Sequence, residues 1–161
     1  MLKIFPVKTD EDLEIVKGLL EEYVASWSEV GGPVHEKEVE KARRQMENLL
    51  NDFGPPAGCL LFARYGGEAA GCVALEKLNN SVCQMKRLYV RDNFRGLKIG
   101  RKLAETVIEQ AQKIGYKYMR IHTINILEPA NRLYKSLGFN EIDPYEYTPR
   151  DDSVFMELKL A

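Results

Sequence analysis

Apolar positions recur along this chain with two different spacings, and the switches between them mark out the elements. Leu2–Val7 reads as a first strand. Thr9 then offers a helix cap, and Leu13, Val16, Leu20, Tyr23 and Trp27 repeat at helical spacing. Gly31-Gly32-Pro33 breaks that helix, and Glu36–Asn51 reads as a second, highly charged one. Its apolar contacts are Val39, Met46, Leu49 and Leu50, and Gly54-Pro55-Pro56 ends it. Cys59–Tyr65 and Glu68–Lys77 read as strands around Gly66-Gly67, a hairpin signal. Asn79-Asn80-Ser81 turns the chain into Val82–Val90, which completes an antiparallel meander.

The second half alternates differently. Leu103, Ala104, Val107, Ile108, Ala111 and Ile114 share one face of a helix from Gly100 to Ile114, and Gly115 suits its stop. Tyr118–Thr123 is a strand that follows a helix that follows a strand. It should therefore lie parallel to Val82–Val90 through a right-handed crossover. Glu128–Leu137 reads as a short helix ended by Gly138, with Phe139–Tyr145 and Val154–Leu160 as closing strands. The expected fold class is α/β with a mixed, mostly antiparallel sheet, one parallel pair, and helices on both faces. No repeat, low-complexity stretch or linker divides residues 1–161, so one domain is expected.

Composition narrows the function. A net charge of −1 argues against a nucleic-acid surface, so the basic cluster from Lys86 to Lys102 is local and suits a small anionic ligand. No apolar run is long enough to span a membrane and no signal-peptide pattern opens the chain, which predicts a cytoplasmic protein. Cys59, Cys72 and Cys83 are an odd count without a C-x-x-C, read as free thiols in a reducing compartment. With only His35 and His122 as histidines, no metal site is expected.

The most informative run is Gln84–Leu103. A strand ends at Val90, a basic loop carries Arg95, Gly96, Leu97, Lys98, Ile99, Gly100 and Arg101, and a long helix begins. Helix starts present unpaired backbone N–H groups at the positive end of the dipole, and arginine adds charge-assisted donors. This combination suits a pyrophosphate. The G-x-x-x-x-G-K-[ST] of a P-loop is absent, and only Gly96 and Gly100 are available for a dinucleotide G-x-G-x-x-G. Arg95 and Gly100 do fit the ends of [RQ]-x-x-[GA]-x-[GA], the loop of the GNAT N-acetyltransferases, with Lys98 where the middle glycine is usual. Met85–Val90 is similar to that family's fourth strand, and Pro129–Phe139, with Tyr134 before Leu137-Gly138-Phe139, resembles its second acetyl-CoA motif. The close resemblance covers about Val82 to Phe139, and a looser one the rest.

The resemblance implies a GNAT-like fold with a splayed cofactor cleft between the fourth and fifth strands. It implies that acetyl-CoA lies there as co-substrate, its pantetheine on backbone groups of Leu88, Tyr89 and Val90 and its pyrophosphate on Arg95–Arg101. Tyr134 matches the tyrosine that protonates the departing thiolate; the other reading is a core aromatic beside Leu133 and Leu137, and its position three residues before Leu137-Gly138-Phe139 favours the functional one. Asn131, one turn earlier, reads as a contact to the cofactor arm or as a helix-start residue. Gln84 stands where many relatives carry a glutamate base, and an amide takes no proton. His122, on the neighbouring strand, has the right intrinsic pKa for a base or is a hydrogen-bonded strand residue. Tyr23, Trp27, Tyr145 and Tyr147 are the aromatics near the expected acceptor pocket, in which Tyr23, Trp27 and Tyr145 are the candidate substrate contacts.

The expected activity is acetyl transfer from acetyl-CoA to a primary amine of a small molecule by direct attack. A protein or peptide amine is the alternative acceptor, and a CoA-binding regulatory domain without catalysis is the alternative class. Nucleic acid and membrane are not expected partners, and the sequence leaves a homodimer open.

Overall fold

The computed structural model describes residues 1–27, 35–148 and 150–161. The expected break at Gly31-Gly32-Pro33 and residue Pro149 lie outside the described residues. Strand β1 (Leu2–Pro6) leads into helix α1 (Asp10–Ser26). Thr9 caps this helix as expected: its Oγ1 accepts the Asp12 N–H at 3.1 Å, while the Asp12 carboxylate accepts the Thr9 N–H at 3.2 Å. The charged segment after it is two helices, α2 (His35–Met46) and α3 (Leu49–Phe53), rather than the one helix expected over Glu36–Asn51. The turn at Glu47 and Asn48 re-aims the last apolar side chains. Leu49 and Phe53 become buried, while Leu50, expected as a contact, is exposed.

Strands β2 (Cys59–Tyr65), β3 (Glu68–Lys77) and β4 (Val82–Val90) form the meander. A 3₁₀ turn at Asp92–Phe94 precedes helix α4 (Ile99–Ile114), which is followed by β5 (Tyr118–Ile124), α5 (Glu128–Ser136), β6 (Asn140–Ile142) and β7 (Ser153–Lys159). Ile114, expected on the apolar face of α4, is exposed in the last turn of the helix, beside the Gly115 cap. The strand expected over Phe139–Tyr145 pairs only from Asn140 to Ile142. Pro144 brings no N–H to a ladder, and the chain leaves the edge there.

The strands form one seven-stranded sheet in the order β1-β2-β3-β4-β5-β7-β6, antiparallel except for the β4–β5 pair. Side-chain alternation loads both faces. Leu61, Ala63, Val73 and Leu75 pack with Leu103, Ala104, Val107 and Ala111 of α4 and with Tyr134 and Phe139. Leu60, Phe62, Cys72 and Ala74 pack with Val16, Leu19 and Leu20 of α1 and with Leu49 and Phe53. The sheet is thus sandwiched between α4–α5 and α1–α3, as expected from the sequence. All three cysteines are free; Cys72 and Cys83 are buried, Cys59 half-buried. Among the described residues no helix is long and apolar enough to cross a membrane.

Two irregularities in β4 open the sheet. First, β4 and β5 pair only through Val82–Gln84 and Tyr118–Arg120, so the two strands part beyond Gln84. Second, the register between β3 and β4 slips between Cys72 and Ala74, where Arg87 has φ 60°. This is a β-bulge, which adds a residue and increases local twist. Past the bulge β4 presses close to Gly71. A Cβ there would sit 2.4 Å from the Tyr89 carbonyl oxygen, a backbone atom with little room to yield. Gly71→Ala should therefore lower the unfolding free energy by about 1–3 kcal/mol, measured by urea denaturation. An unchanged midpoint would show that the strand shifts freely.

Candidate active site

The basic loop sits where β4 runs out. Gly96 has φ 82°, and Lys98 takes the left-handed conformation at φ 63°, the position where a middle glycine is usual. A non-glycine residue there carries strain of about 1–2 kcal/mol. The reward is geometric: α4 starts at once, and its first intrahelical bond is from the Lys102 N–H to the Lys98 carbonyl. The N–H groups of Ile99, Gly100 and Arg101 in the first turn precede that bond. A Cβ on Gly100 would meet only Val90 and Leu133 side chains, at 3.6 and 3.9 Å. Arg95 is exposed, tethered by Asp92 at 3.1 Å. Arg101 instead turns to the Ser136 hydroxyl on α5, which ties the two helices together.

Tyr134 and Asn131 lie on α5, the helix that follows β5. Tyr134 is 8% exposed, stacks edge-on against Phe139, and has its phenol pushed far above the usual tyrosine range by burial. It is a protonated donor at any physiological pH. The charge of Tyr23 on α1 adds a smaller upward push to the same phenol. Asn131 Nδ2 donates to the Ile124 carbonyl at 2.9 Å, while its buried Oδ1 has no partner among the described residues. An unsatisfied buried acceptor is costly.

The α1–α2 side of the gap is polar. Tyr23 stacks on Tyr89 at 5.2 Å and meets Trp27 edge-on. The Tyr89 hydroxyl donates to Glu22, and Arg91 forks onto both Glu22 oxygens at 2.6–3.1 Å. Gln84 is buried, and its Oε1 accepts the Tyr145 hydroxyl. The Tyr145 ring packs against Phe155 and lies 4.9 Å under the Arg120 guanidinium, which pairs with Glu157. His122 stacks flat on Phe155; its Nδ1 faces a Glu146 oxygen at 2.9 Å and its Nε2 the Ser153 hydroxyl at 3.1 Å. An open groove of about 390 Å³ beside Glu22, Tyr89 and Arg91 touches this region but reaches neither Tyr134 nor Gln84.

The family model for the acetyltransferase (GNAT) family matches residues 16–139. The chain belongs to the GNAT acetyltransferases. It is 38% identical over 162 residues to an uncharacterized N-acetyltransferase of Schizosaccharomyces pombe, covering 99% of this chain and 96% of that one. It is 31% identical over 113 residues to an IAA acetyltransferase of Azospirillum brasilense, covering 69% of this chain and 74% of that one. The PaiA N-acetyltransferase of Thermoplasma acidophilum, solved with coenzyme A, superposes with a TM-score of 0.75 at 21% identity over 99% of both chains.

The structure places Arg95 and Gly96–Gly100 in the loop after β4 and at the start of α4, Leu88–Val90 at the end of β4 beyond its pairing with β5, and Asn131 and Tyr134 on α5. Gln84 and Tyr145 touch, and Tyr23 and Trp27 lie next to each other. His122 stands further along β5, with both ring nitrogens engaged. Tyr147 is 89% exposed and joins no cluster. Sequence reasoning missed Arg87, Glu76, Arg120, Glu22 and Arg91. The adjacent cations Lys86-Arg87, which break the alternation of β4, were the available signal for the bulge.

The Glu22–Arg91 fork pins α1 to the end of β4. Hydrogen bonding from Arg91, against the opposing effect of burial, holds the Glu22 carboxyl below its usual value of 4.5. A depressed folded-state pKa adds stability above the unfolded value, and that stability is lost as pH falls through the folded value. The stability difference between parent and Glu22→Gln should accordingly be at full size at pH 7 and shrink below about pH 4.5. Urea denaturation at a series of pH values measures it, and a difference independent of pH would reject the ion pair as its source.

Proposed function

We propose that this chain transfers an acetyl group from acetyl-CoA to a primary amine of a small molecule, by direct attack in a ternary complex. The observation that carries the reading is the parting of β4 from β5 beyond Gln84, next to the phosphate-suited helix start of α4. Acetyl-CoA is the co-substrate that supplies the activated acyl group. The residues present suit it: the first-turn N–H groups of Ile99, Gly100 and Arg101 with the Arg95 side chain for the pyrophosphate, Leu88, Tyr89 and Val90 backbone for the pantetheine, and the orphaned Asn131 Oδ1 for an amide N–H.

In this reading the amine lone pair attacks the thioester carbon, and the developing oxyanion takes a backbone N–H at or beside Leu88. Collapse breaks the C–S bond, and the Tyr134 hydroxyl gives its proton to the leaving thiolate. Gln84, fixed by Tyr145, orients the acceptor and takes no proton. The Glu146 carboxylate favours the Nδ1–H form of His122, which leaves its Nε2 lone pair to accept from Ser153. His122 with Ser153 then serves as the proton outlet for the attacking amine. A protein N-terminus as acceptor is tested in the same assay by adding peptides to the amine panel. The chain acting in the cytoplasm, as one domain, belongs to this same reading.

Arg95→Ala should weaken CoA binding by about 1–3 kcal/mol, the scale for losing a charge-assisted hydrogen bond. Calorimetry giving parental affinity in the folded variant would move the pyrophosphate elsewhere. Tyr134→Phe keeps the ring and removes the donor, so thiol release at saturating acetyl-CoA should fall by about 10²-fold while CoA still binds. Parental turnover with weakened CoA binding would make Tyr134 a packing residue instead. No thiol release by the parent with any amine, alongside tight CoA binding, would favour the regulatory-domain reading that Gln84 suggests.

A further inference from the structure

Arg87 is the odd cation of this cleft. The bulge that gives it φ 60° also puts Lys86 and Arg87, neighbours in sequence, on the same α1–α2 side of the sheet. Lys86 lies 3.5 Å from Glu76 on β3. The Arg87 guanidinium lies 5.6 Å from the Trp27 ring and donates to Gln45 Oε1 on α2 at 2.7 Å. Gln45 is itself fixed, because its Nε2 donates to Asp52 at 2.7 Å. The partner of Arg87 is therefore a neutral amide, held with its oxygen inward. Its half-buried neighbours are treated differently: Arg91 has Glu22 at 2.6 Å and Arg120 has Glu157 at 2.9 Å. Among the described residues, no carboxylate stands within ion-pair distance of Arg87.

Lys86 feels the charges of Arg87 and Lys41 on α2 against those of Glu76 and Glu146. Arg87 itself feels Glu76 and Asp52 at longer range, while burial disfavours its charge and neither carboxylate forms an ion pair with it. A guanidinium partly withdrawn from water, with a rigid planar fork and no anion of its own, gains most from a carboxylate bound by two N–H donors. The CoA pyrophosphate is not a candidate, since its proposed loop lies past the far end of β4. Arg87 directly precedes Leu88, so an anion on it would lie beside the point of acyl transfer.

We infer that Arg87, backed by Lys86 and Lys41, binds a carboxylate carried by the acceptor, so that the acceptor is an amino acid or a similar amine with a carboxylate close to its nitrogen. This rests on the acetyl-transfer reading of the cleft. The carboxylate, gripped by Arg87, holds the amine nitrogen toward the thioester while Tyr23 and Trp27 limit the space for its substituent.

The test compares acid and amide pairs as acceptors in thiol release with acetyl-CoA: glycine with glycinamide, alanine with alaninamide, β-alanine with β-alaninamide. The parent should favour the acid of at least one pair tenfold or more in kcat/KM, through KM. Arg87→Gln should cut that ratio at least tenfold, and Arg87→Lys should restore part of it. A parent indifferent to the carboxylate in every pair, or a ratio that survives Arg87→Gln, would overturn the assignment. Succinyl-CoA in place of acetyl-CoA distinguishes the other source of a carboxylate. If Arg87→Gln changes donor preference and leaves the acid-to-amide ratio alone, the anion belongs to the acyl chain and the acceptor assignment fails. Calorimetry on the CoA-loaded protein separates this from the underlying reading when no amine turns over. Alanine binding that alaninamide does not match, lost in Arg87→Gln, supports the site without catalysis. Equal binding of the two, or none, rejects it.

Discussion

Everything at this cleft depends on two strands that stop sharing hydrogen bonds. Backbone N–H and C=O groups inside a sheet are satisfied by their neighbours, and a gap leaves donors and acceptors to be met by something else. Here β5 keeps pace with β4 only as far as Gln84, so the β5-facing edge of Lys86–Val90 is open. A linear ligand rich in amides can complete such an edge as another strand would. The bulge at Arg87 sharpens the departure, and Gly71 allows β4 to stay packed on β3 while it bends.

Charge is distributed to match. On the face away from α4, half-buried cations are matched with carboxylates: Arg120 with Glu157, Arg91 with Glu22, Lys86 with Glu76. Isolated buried charge is expensive, and pairing offsets much of the desolvation without adding large net stability. These pairs therefore fix positions more than they stabilise the fold. Arg120 holds the Tyr145 ring, Tyr145 holds Gln84, and Arg91 holds α1 at the mouth of the cleft. Hydroxyl groups do the remaining work at low dielectric, where the Tyr145 and Tyr134 phenols stay protonated because burial disfavours the phenolate.

Much of this was legible in the sequence wherever local chemistry decides the outcome. The hairpin at Gly66-Gly67, the Thr9 cap, the α4 face from Leu103 to Ala111 and the Gly115 stop depend on a few neighbouring residues, and each formed as the pattern implied. The parallel β4–β5 pair followed from handedness alone. The misses are tertiary. Nothing local in Glu36–Asn51 says that a turn at Glu47-Asn48 will aim Phe53 into the core, because that turn is rewarded only by the sheet it packs against. Tyr145 looked like a strand residue, yet Pro144 ends the ladder and the loop folds the ring back onto Gln84. Arg87 was passed over because its role depends on which side of β4 it leaves, and a bulge shifts that parity by one residue.

Left-handed backbone gives the last link between fold and function. Among the described residues only Arg87 and Lys98 adopt positive φ without being glycine. Each conformation costs about 1–2 kcal/mol that a glycine would spare. Among the described residues glycine occupies five other such positions, so the fold has ready access to the easier choice. Both exceptions carry positive charge, and both lie beyond the paired part of β4, one at its bulge and one in the loop that follows it. Strained non-glycine residues persist where surrounding structure holds them, and they gather at functional sites. At Lys98 the helix start of α4 fixes the conformation; at Arg87 the β3–β4 register and the Gln45 contact do so. What the side chain adds in both places is a positive charge that glycine could not supply, and among the described residues no carboxylate forms an ion pair with either one.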